Sequence, residues 1–253
     1  MAIKVALELY SVRHDLAKDL EGTLQKVKAM GYAGVEFAGL YAYPAERVKK
    51  ALADTGLEVV GWHTPLHYLQ GDLFYATVAY HQAVGNTRLI VPAMPEEVYK
   101  QGWEKAAEVL EAIGQKLRPY GMKTGYHNHN FEFAPKDNAP WEVLFKNTSG
   151  QVIHQIDNGN CIWGDGDPVA LVRAFPGRSQ TVHLKPYSRT NAFDAMIGAD
   201  DNDWPAFFAA CREVGGTEWY IVEYEFEGRY TALEGVEVFI KAFRDKYIAT
   251  GIA

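Results

Sequence analysis

Short apolar runs alternate along the chain with longer runs in which apolar residues recur every three or four positions. Eight of the short runs have the length and the β-branched and aromatic content of strands: KVALELY, GVEFAG, LEVVGWHT, RLIVPA, KTGYHNH, QVIHQID, SQTVHLK and WYIVEYE. Helical patterns lie between them, among them TLQKVKAM, AERVKKALADTG, EKAAEVLEAIGQKLRPYG and EGVEVFIKAFRDKY. Strand–helix alternation of this kind predicts βαβ units and a parallel sheet.

Eight such units in a chain of 253 residues predict an α/β fold, a (β/α)8 TIM barrel, with residues 1–253 in a single domain. An open, doubly wound sheet is the structural alternative. No GxGxxG motif opens a predicted helix, which weakens a dinucleotide-binding version of that alternative. No linker or low-complexity segment interrupts the pattern.

Polar residues share one face of several predicted strands. Successive side chains of a strand point to opposite faces, so His183 and Lys185 oppose Val182 and Leu184. In a barrel the apolar face meets the helices, and the other face points to the axis, where active sites form at the carboxyl ends of the strands. The strand ends supply these polar groups to that rim: Glu8, Glu36, His63, His127, His129, Asp157, His183, Lys185, Glu223 and Glu225, with Glu132 just after strand five.

Composition narrows the possible partners. The formal net charge is −7, and an acidic chain without a basic run is a poor candidate for binding nucleic acid or an anionic membrane. Cys161 and Cys211 do not form a CxxC pair or indicate a disulfide framework. No signal-peptide pattern and no membrane-spanning apolar run is evident, so we expect a cytoplasmic protein.

The carboxylates and imidazoles predicted to converge from strands five to eight indicate a divalent metal ion. Buried anions are costly unless a cation compensates them, and mixed carboxylate and imidazole ligands suit manganese, zinc, cobalt or magnesium. Simpler interpretations stay open. Asp157 could cap a helix or turn, His183 could be a hydrogen-bonded core histidine, and Glu132, His127 and His129 could only order a loop.

The segments GVEFAG, WHTPL, YHNHNFEF, IDNGNCIWGDGDP, VHLKPYS, DWPAFF and YIVEYE together resemble the xylose-isomerase-like TIM-barrel superfamily, in particular the sugar phosphate isomerase/epimerase group. This superfamily also includes inosose dehydratase and AP endonucleases of the endonuclease IV type. The resemblance covers nearly the whole chain. It implies one divalent metal ion, held here by Glu132, Asp157, His183 and Glu223. For strand five, His127 or His129 is the alternative to Glu132.

The resemblance implies a sugar isomerase or epimerase that moves a proton at a carbon next to a metal-bound carbonyl. Its substrate would be a small sugar or keto-sugar, and family analogy suggests a homodimer or homotetramer. The residues expected to take part in catalysis are Glu132, Glu223, His129 and Lys185. Those expected to bind substrate are Glu36, His63, His127, Asn160 and Trp163.

Two departures from the epimerase pattern keep other functions open. Asn160 stands where that branch often has a histidine, and Pro186 follows Lys185 where related sequences often have aspartate. A lyase or dehydratase acting on a keto-sugar or keto-inositol would begin with the same proton abstraction. The remaining alternatives are an endonuclease IV-type DNA-repair enzyme, which the acidic balance disfavours, and a sugar-binding barrel without catalysis. The absence of a phosphate-cradling glycine loop favours an unphosphorylated substrate.

Overall fold

The computed structural model describes residues 4–39, 42–225 and 228–253. Its eight strands are β1 (Val5–Glu8), β2 (Gly34–Ala38), β3 (Glu58–His63), β4 (Arg88–Val91), β5 (Lys123–His127), β6 (Val152–Gln155), β7 (Thr181–Leu184) and β8 (Trp219–Val222). They form one sheet in the order β6-β5-β4-β3-β2-β1-β8-β7, with every ladder parallel. The predicted single TIM-barrel domain is confirmed. Residues 1–3, 40–41 and 226–227 of the predicted domain lie outside the described residues.

The helices surround this sheet and connect its strands. They are α1 (Arg13–Lys18), α2 (Leu20–Ala29), α3 (Ala45–Thr55), α4 (Leu73–Val84), α5 (Glu96–Tyr99), α6 (Trp103–Leu117), α7 (Pro140–Lys146), α8 (Asn158–Trp163), α9 (Pro168–Ala174), α10 (Trp204–Ala210) and α11 (Ala232–Phe243). The helices α1, α5, α7 and α8 were not predicted. They have four to seven residues, which is too short for a helical period to show in the sequence.

The barrel closes between β6 and β7 through a short contact instead of a full ladder. Asp157 and His183 form an isolated parallel bridge there. The backbone N–H of His183 donates to the carbonyl oxygen of Ile156 at 2.8 Å. This seam therefore brings two of the predicted metal ligands directly beside each other.

The alternation along β5 shows how the strands divide the inside of the barrel from its surrounding helices. The ring of Tyr126 lies 6.1 Å from those of Trp103 on α6 and Trp141 on α7, measured between centroids. The next residue, His127, lines the mouth of the barrel. The predicted inward orientation of His127 is confirmed.

A glycine on β3 makes room for a glutamate inside the barrel. Glu36 on β2 is paired with Gly61, and a Cβ atom at Gly61 would lie 2.1 Å from Glu36 Oε1. Side chains normally fill a barrel of this size, so a residue without one lets the Glu36 carboxylate extend across the interior. Among the described helices, none combines the length and the apolar composition needed to cross a membrane.

Candidate active site

A cavity of about 330 Å³ opens at the carboxyl ends of the strands. Its volume lies near the lower end of the range of about 300–1,000 Å³ that is usual for small-molecule sites. Lys and Arg are absent from its described lining, which consists of Glu8, Tyr10, Ala38, Gly39, His63, Pro92, His127, His129, Glu223 and Glu225. The cavity is therefore at the predicted rim and is rich in carboxylates and imidazoles.

Four buried side chains meet beside this cavity: those of His127, Asp157, His183 and Glu223. Each offers one possible ligand atom, and these atoms lie within 4.8 Å of one another. Within the described residues, neither His127 Nδ1 nor Asp157 Oδ2 has a hydrogen-bond partner, although both atoms are buried. Buried polar atoms are rarely left unpaired. Two unpaired atoms in a group of two imidazoles and two carboxylates fit a divalent cation, so the group could hold a metal ion.

Asp157 is both a helix cap and a candidate ligand. Its Oδ1 accepts a hydrogen bond of 2.6 Å from the backbone N–H of Asn160, which caps α8 and leaves Oδ2 unused. The Asn128 side chain holds the adjacent backbone, accepting from Asp157 N and donating to Asp157 O. Burial raises the pKa of Asp157 to about 8, although Lys185 acts to lower it. The capping role is thus compatible with metal binding.

His183 lies between two carboxylates. Its Nδ1 is 2.5 Å from Glu223 Oε2, and its Nε2 is 2.7 Å from Glu36 Oε2. Burial acts to lower the pKa of His183, but the hydrogen bonds to Glu223 and Glu36 outweigh it and hold this pKa well above its ordinary value. A metal ion that binds such a group releases the proton. A carboxylate on the far nitrogen is the usual device that orients a metal-binding imidazole.

Glu36 holds the His183 imidazole by a hydrogen bond and does not belong to the described cavity lining. Gln155 Nε2 donates to Glu36 Oε1 at 3.0 Å and to Thr181 Oγ1 at 2.9 Å. Gln155 Oε1 lies 2.9 Å from His63 Nε2, so one amide joins polar groups of β2, β3 and β7. The sequence analysis missed Gln155. The signal was available, since Gln155 has the same inward parity as Asp157.

Lys185 links the candidate metal-binding group to the outer part of the cavity. Its Nζ donates to Glu223 Oε1 at 3.0 Å and to Glu225 Oε2 at 3.1 Å. Burial acts to raise the pKa of Glu223, but Lys185 and His183 outweigh it and lower this pKa well below its ordinary value. Glu223 is therefore ionised, as a metal ligand must be.

The structure does not bring Glu132 to this group. Its Oε1 accepts from the Tyr126 hydroxyl at 2.7 Å, and its Oε2 accepts from the backbone N–H of His129 at 3.0 Å. Burial raises the pKa of Glu132 to about 7. Of the three alternatives for strand five, His127 joins the cluster. His129 lines the cavity instead, with a buried Nδ1 that has no partner in the described chain.

Three residues predicted to bind substrate, Glu36, Asn160 and Trp163, lie outside the described cavity lining. The Asn160 side chain donates to the carbonyl oxygen of Asn128 at 3.2 Å. Trp163 is 47% exposed and contacts the rings of Tyr187 and Phe193. His63 and His127, in contrast, do line the cavity. In the structure Asn160 and Trp163 therefore contact the surrounding chain, and substrate binding by these residues stays a prediction.

Residues 24–243 match the family described as xylose isomerase-like TIM barrel, and the chain belongs to that family. The resemblance noted in the sequence is thereby confirmed.

Individual relatives fall into more than one enzyme class. The chain is 26% identical over 183 residues to an inosose dehydratase of Salmonella agona, covering 61% of this chain and 58% of that protein. It is 22% identical to the rhizopine catabolism protein MocC of Rhizobium meliloti, covering 89% of this chain and 82% of that protein. A sugar phosphate isomerase/epimerase of Parabacteroides distasonis has a similar structure, with a TM-score of 0.82, 25% identity and coverage of 97% and 99% of the two chains. Proteins described as dehydratases and as isomerase/epimerases are thus both among those similar to this chain.

Proposed function

We propose that the protein is a metal-dependent enzyme that removes a proton from the carbon next to the carbonyl of a keto-sugar or keto-inositol. The observation that carries this proposal is the buried group of His127, Asp157, His183 and Glu223, two of whose polar atoms have no partner among the described residues. Two of its members, His127 and Glu223, also line the cavity.

In this proposal the four residues hold one divalent ion, either manganese, zinc, cobalt or magnesium. When bound, such an ion polarises a carbonyl and makes the neighbouring C–H more acidic. Glu36 holds Nε2 of His183 and so directs Nδ1 towards the other three ligands. Replacing Glu132 by His127 in the ligand set follows one of the alternatives that the sequence left open.

His129 and Glu223 are the proposed proton-transfer groups. Nδ1 of His129 is unpaired within the described chain and belongs to a residue of the cavity wall. Burial lowers the pKa of His129, so its imidazole is neutral and able to accept a proton at neutral pH. Lys185 holds Glu223, while Glu132 positions His129 through the backbone hydrogen bond.

Dehydration is the outcome that this arrangement favours. In the epimerase pattern two glutamates flank the substrate to remove and return the proton, and these were expected to be Glu223 and Glu132. The Glu132 carboxylate is bound to Tyr126 and the His129 backbone. In an elimination, the group that removes the proton can pass it to the departing hydroxyl, which leaves as water. The similarity to inosose dehydratases supports the same choice.

An isomerase or epimerase is the second candidate. Its support is the similar structure of the Parabacteroides protein and the presence of a second cavity carboxylate, Glu225, beside Glu223. We do not propose the endonuclease alternative, since DNA binding depends on Lys and Arg and neither occurs in the described cavity lining. The homodimer or homotetramer and the cytoplasmic location stay predictions, which light scattering and cell fractionation can test.

The test is incubation of the metal-loaded protein with inososes and ketoses in deuterated water. We expect deuterium next to the carbonyl in the product and the loss of one water from the substrate, measured by NMR and mass spectrometry. His183→Ala should abolish both signals, whereas Glu142→Gln, at a half-buried glutamate outside the cavity lining, should leave them unchanged. An epimer formed without loss of water would favour the second candidate. Absence of exchange and of product with every substrate, in protein that holds its metal, would contradict both.

A further inference from the structure

We propose that Glu8 is a specificity residue of the cavity, and that its Oε2 binds one hydroxyl of a neutral, polyhydroxylated substrate. This inference rests on the proposed function, because it names the class of ligand that the same cavity accepts.

Glu8 is fully buried at the end of β1 and lines the cavity. Its Oε1 accepts a hydrogen bond of 3.1 Å from the backbone N–H of Tyr10 and so caps the 3₁₀ turn Leu9–Val12. Its Oε2 is buried and has no partner in residues 4–39, 42–225 and 228–253. An unpaired buried carboxylate oxygen is costly. A substrate hydroxyl can satisfy it in either protonation state, because a hydroxyl both donates and accepts.

The position of Glu8 separates it from His129, one of the two proposed proton-transfer groups. In the strand order β1 is four strands away from β5, so in a closed ring of eight strands the two lie on opposite sides. His129, which follows β5, carries the other unpaired atom of the described lining that lies outside the metal-binding group. Unsatisfied atoms on both sides of one small cavity fit a molecule with polar groups at both ends, such as a sugar or a polyol ring.

The charges around the cavity favour a substrate without phosphate. Glu8, Glu223 and Glu225 all belong to the lining, whose described members include neither Lys nor Arg. Lys185 lies nearby, but Glu223 and Glu225 already occupy its ammonium group. Proteins usually bind phosphate with Arg, Lys or free backbone N–H groups. A phosphate here would meet carboxylates instead.

Metal binding is the alternative role for Glu8. One ligand atom each of Glu8, Glu36, His63 and His183 also lie within 4.8 Å of one another. However, Glu36 and His63 are already joined through Gln155, whereas Glu8 Oε2 has no bond to another described residue. The inference therefore assigns Oε2 to the substrate, and the metal content of a Glu8 variant decides between the two roles.

The experiment measures binding by calorimetry, with protein loaded with the metal that it holds after purification. The probes are myo-inositol, which has no carbonyl and cannot react, and myo-inositol 1-phosphate. Four proteins are compared: the unmodified chain, Glu8→Gln, Glu8→Leu and Asp19→Asn. Asp19 is the matched control, because it also caps a helix through a carboxylate oxygen but lies outside the described cavity lining.

We expect the unmodified protein and Asp19→Asn to bind myo-inositol alike and to bind the phosphate more weakly. Glu8→Leu should weaken the binding of myo-inositol by roughly 5- to 150-fold, the range that corresponds to one buried group losing its partner. The affinity of Glu8→Gln for myo-inositol should lie between that of Glu8→Leu and that of the unmodified protein, since its amide can still form a hydrogen bond with a hydroxyl. Metal content should not change in either Glu8 variant, and circular dichroism should confirm that both are folded.

Several outcomes would overturn the inference: equal binding of myo-inositol by Glu8→Leu and the unmodified protein, equal or tighter binding of the phosphate, or no binding of myo-inositol. A loss of metal in folded Glu8→Gln would assign Glu8 to a metal instead. Because the probe cannot react, these results are independent of turnover. Binding as expected without deuterium exchange would count against the proposed function alone.

Discussion

Glu132 and Glu223 are both buried glutamates near the mouth of the barrel, but their carboxylates have different hydrogen-bond partners. Glu132 accepts hydrogen bonds from the Tyr126 hydroxyl and a backbone N–H, and burial raises its pKa to about 7. Glu223 is bound by the ammonium of Lys185 and the imidazole of His183, which outweigh burial and lower its pKa. The comparison shows that the charge of the partners, more than burial, decides whether the pKa of each of these two carboxylates lies above or below its ordinary value.

The two glutamates also belong to different layers of the molecule. Tyr126, the partner of Glu132, packs against aromatic residues of α6 and α7 outside the sheet. The partners of Glu223 extend from β7 inside the barrel. In the proposed mechanism, Glu132 thus holds the loop that positions His129, whereas Glu223 is itself one of the proton-transfer groups.

The largest difference is expected in catalysis. Glu223→Gln should lower the rate of deuterium exchange by at least the factor of about 10²–10⁴ that one acid/base group contributes, because a proton-transfer group and a metal ligand are lost together. Glu132→Gln should lose far less, since Glu132 acts only through the His129 backbone. Initial rates at saturating substrate test this. Equal losses in the two variants would remove the distinction between the glutamates.

Metal affinity should show whether His127 or Glu132 is the metal ligand from the region of β5. His127→Ala should bind the metal ion at least about 10- to 100-fold more weakly, the loss that even a supporting residue of a metal site can cause. Glu132→Ala should keep its affinity. Competition with a chelator, followed by elemental analysis, measures both. Loss of metal in folded Glu132→Ala, with normal affinity in His127→Ala, would restore the ligand set first expected from the sequence.

The pH dependence of stability should identify Glu132 as the group that is protonated in the folded state. Its pKa of about 7 in the folded protein exceeds the unfolded value, so the folded state binds more protons between the two values. The stabilising contribution is therefore complete below the unfolded pKa of about 4.3 and is lost as the pH rises through 7, by an amount on the order of 3 kcal/mol.

Glu132→Gln removes this titration and serves as the reference for it. In urea unfolding at pH 5 and pH 8, the free energy of unfolding of the unmodified protein should fall relative to that of the variant at the higher pH. Contributions of other titrating groups cancel in this difference. A constant difference between the two pH values would show that Glu132 titrates normally.

The smallest effect is expected for Tyr126→Phe. Removing the hydroxyl leaves Glu132 Oε1 without its bond inside the protein, which should cost about 1–3 kcal/mol of unfolding free energy. Urea unfolding measures the loss. Metal content should stay unchanged, because the variant disturbs the loop and not the ligands. A loss of metal instead would connect the Tyr126–Glu132 pair to the cluster.

The sequence was sufficient to predict the side-chain positions that follow from the two-residue period of a strand. Strand parity placed His63, His127, His129 and Glu223 in the cavity lining without knowledge of the fold's details. It was insufficient for Glu132, which lies beyond the end of β5 in a 3₁₀ turn, where the two-residue period no longer applies. For Asp157, the sequence did not show that one carboxylate oxygen caps a helix while the other has no hydrogen-bond partner among the described residues.

By itself, the sequence determined the strand–helix order, the barrel and the faces of the strands, because each follows from the spacing of apolar residues along the chain. The tertiary structure decided which polar groups meet. Glu36 approaches His183 because Gly61 leaves space beside it, although 147 positions separate the two residues in the chain. The charge of Glu223 is decided in the same way: it depends on His183 and Lys185, at the end of β7, which the parallel β7–β8 ladder brings within hydrogen-bond distance.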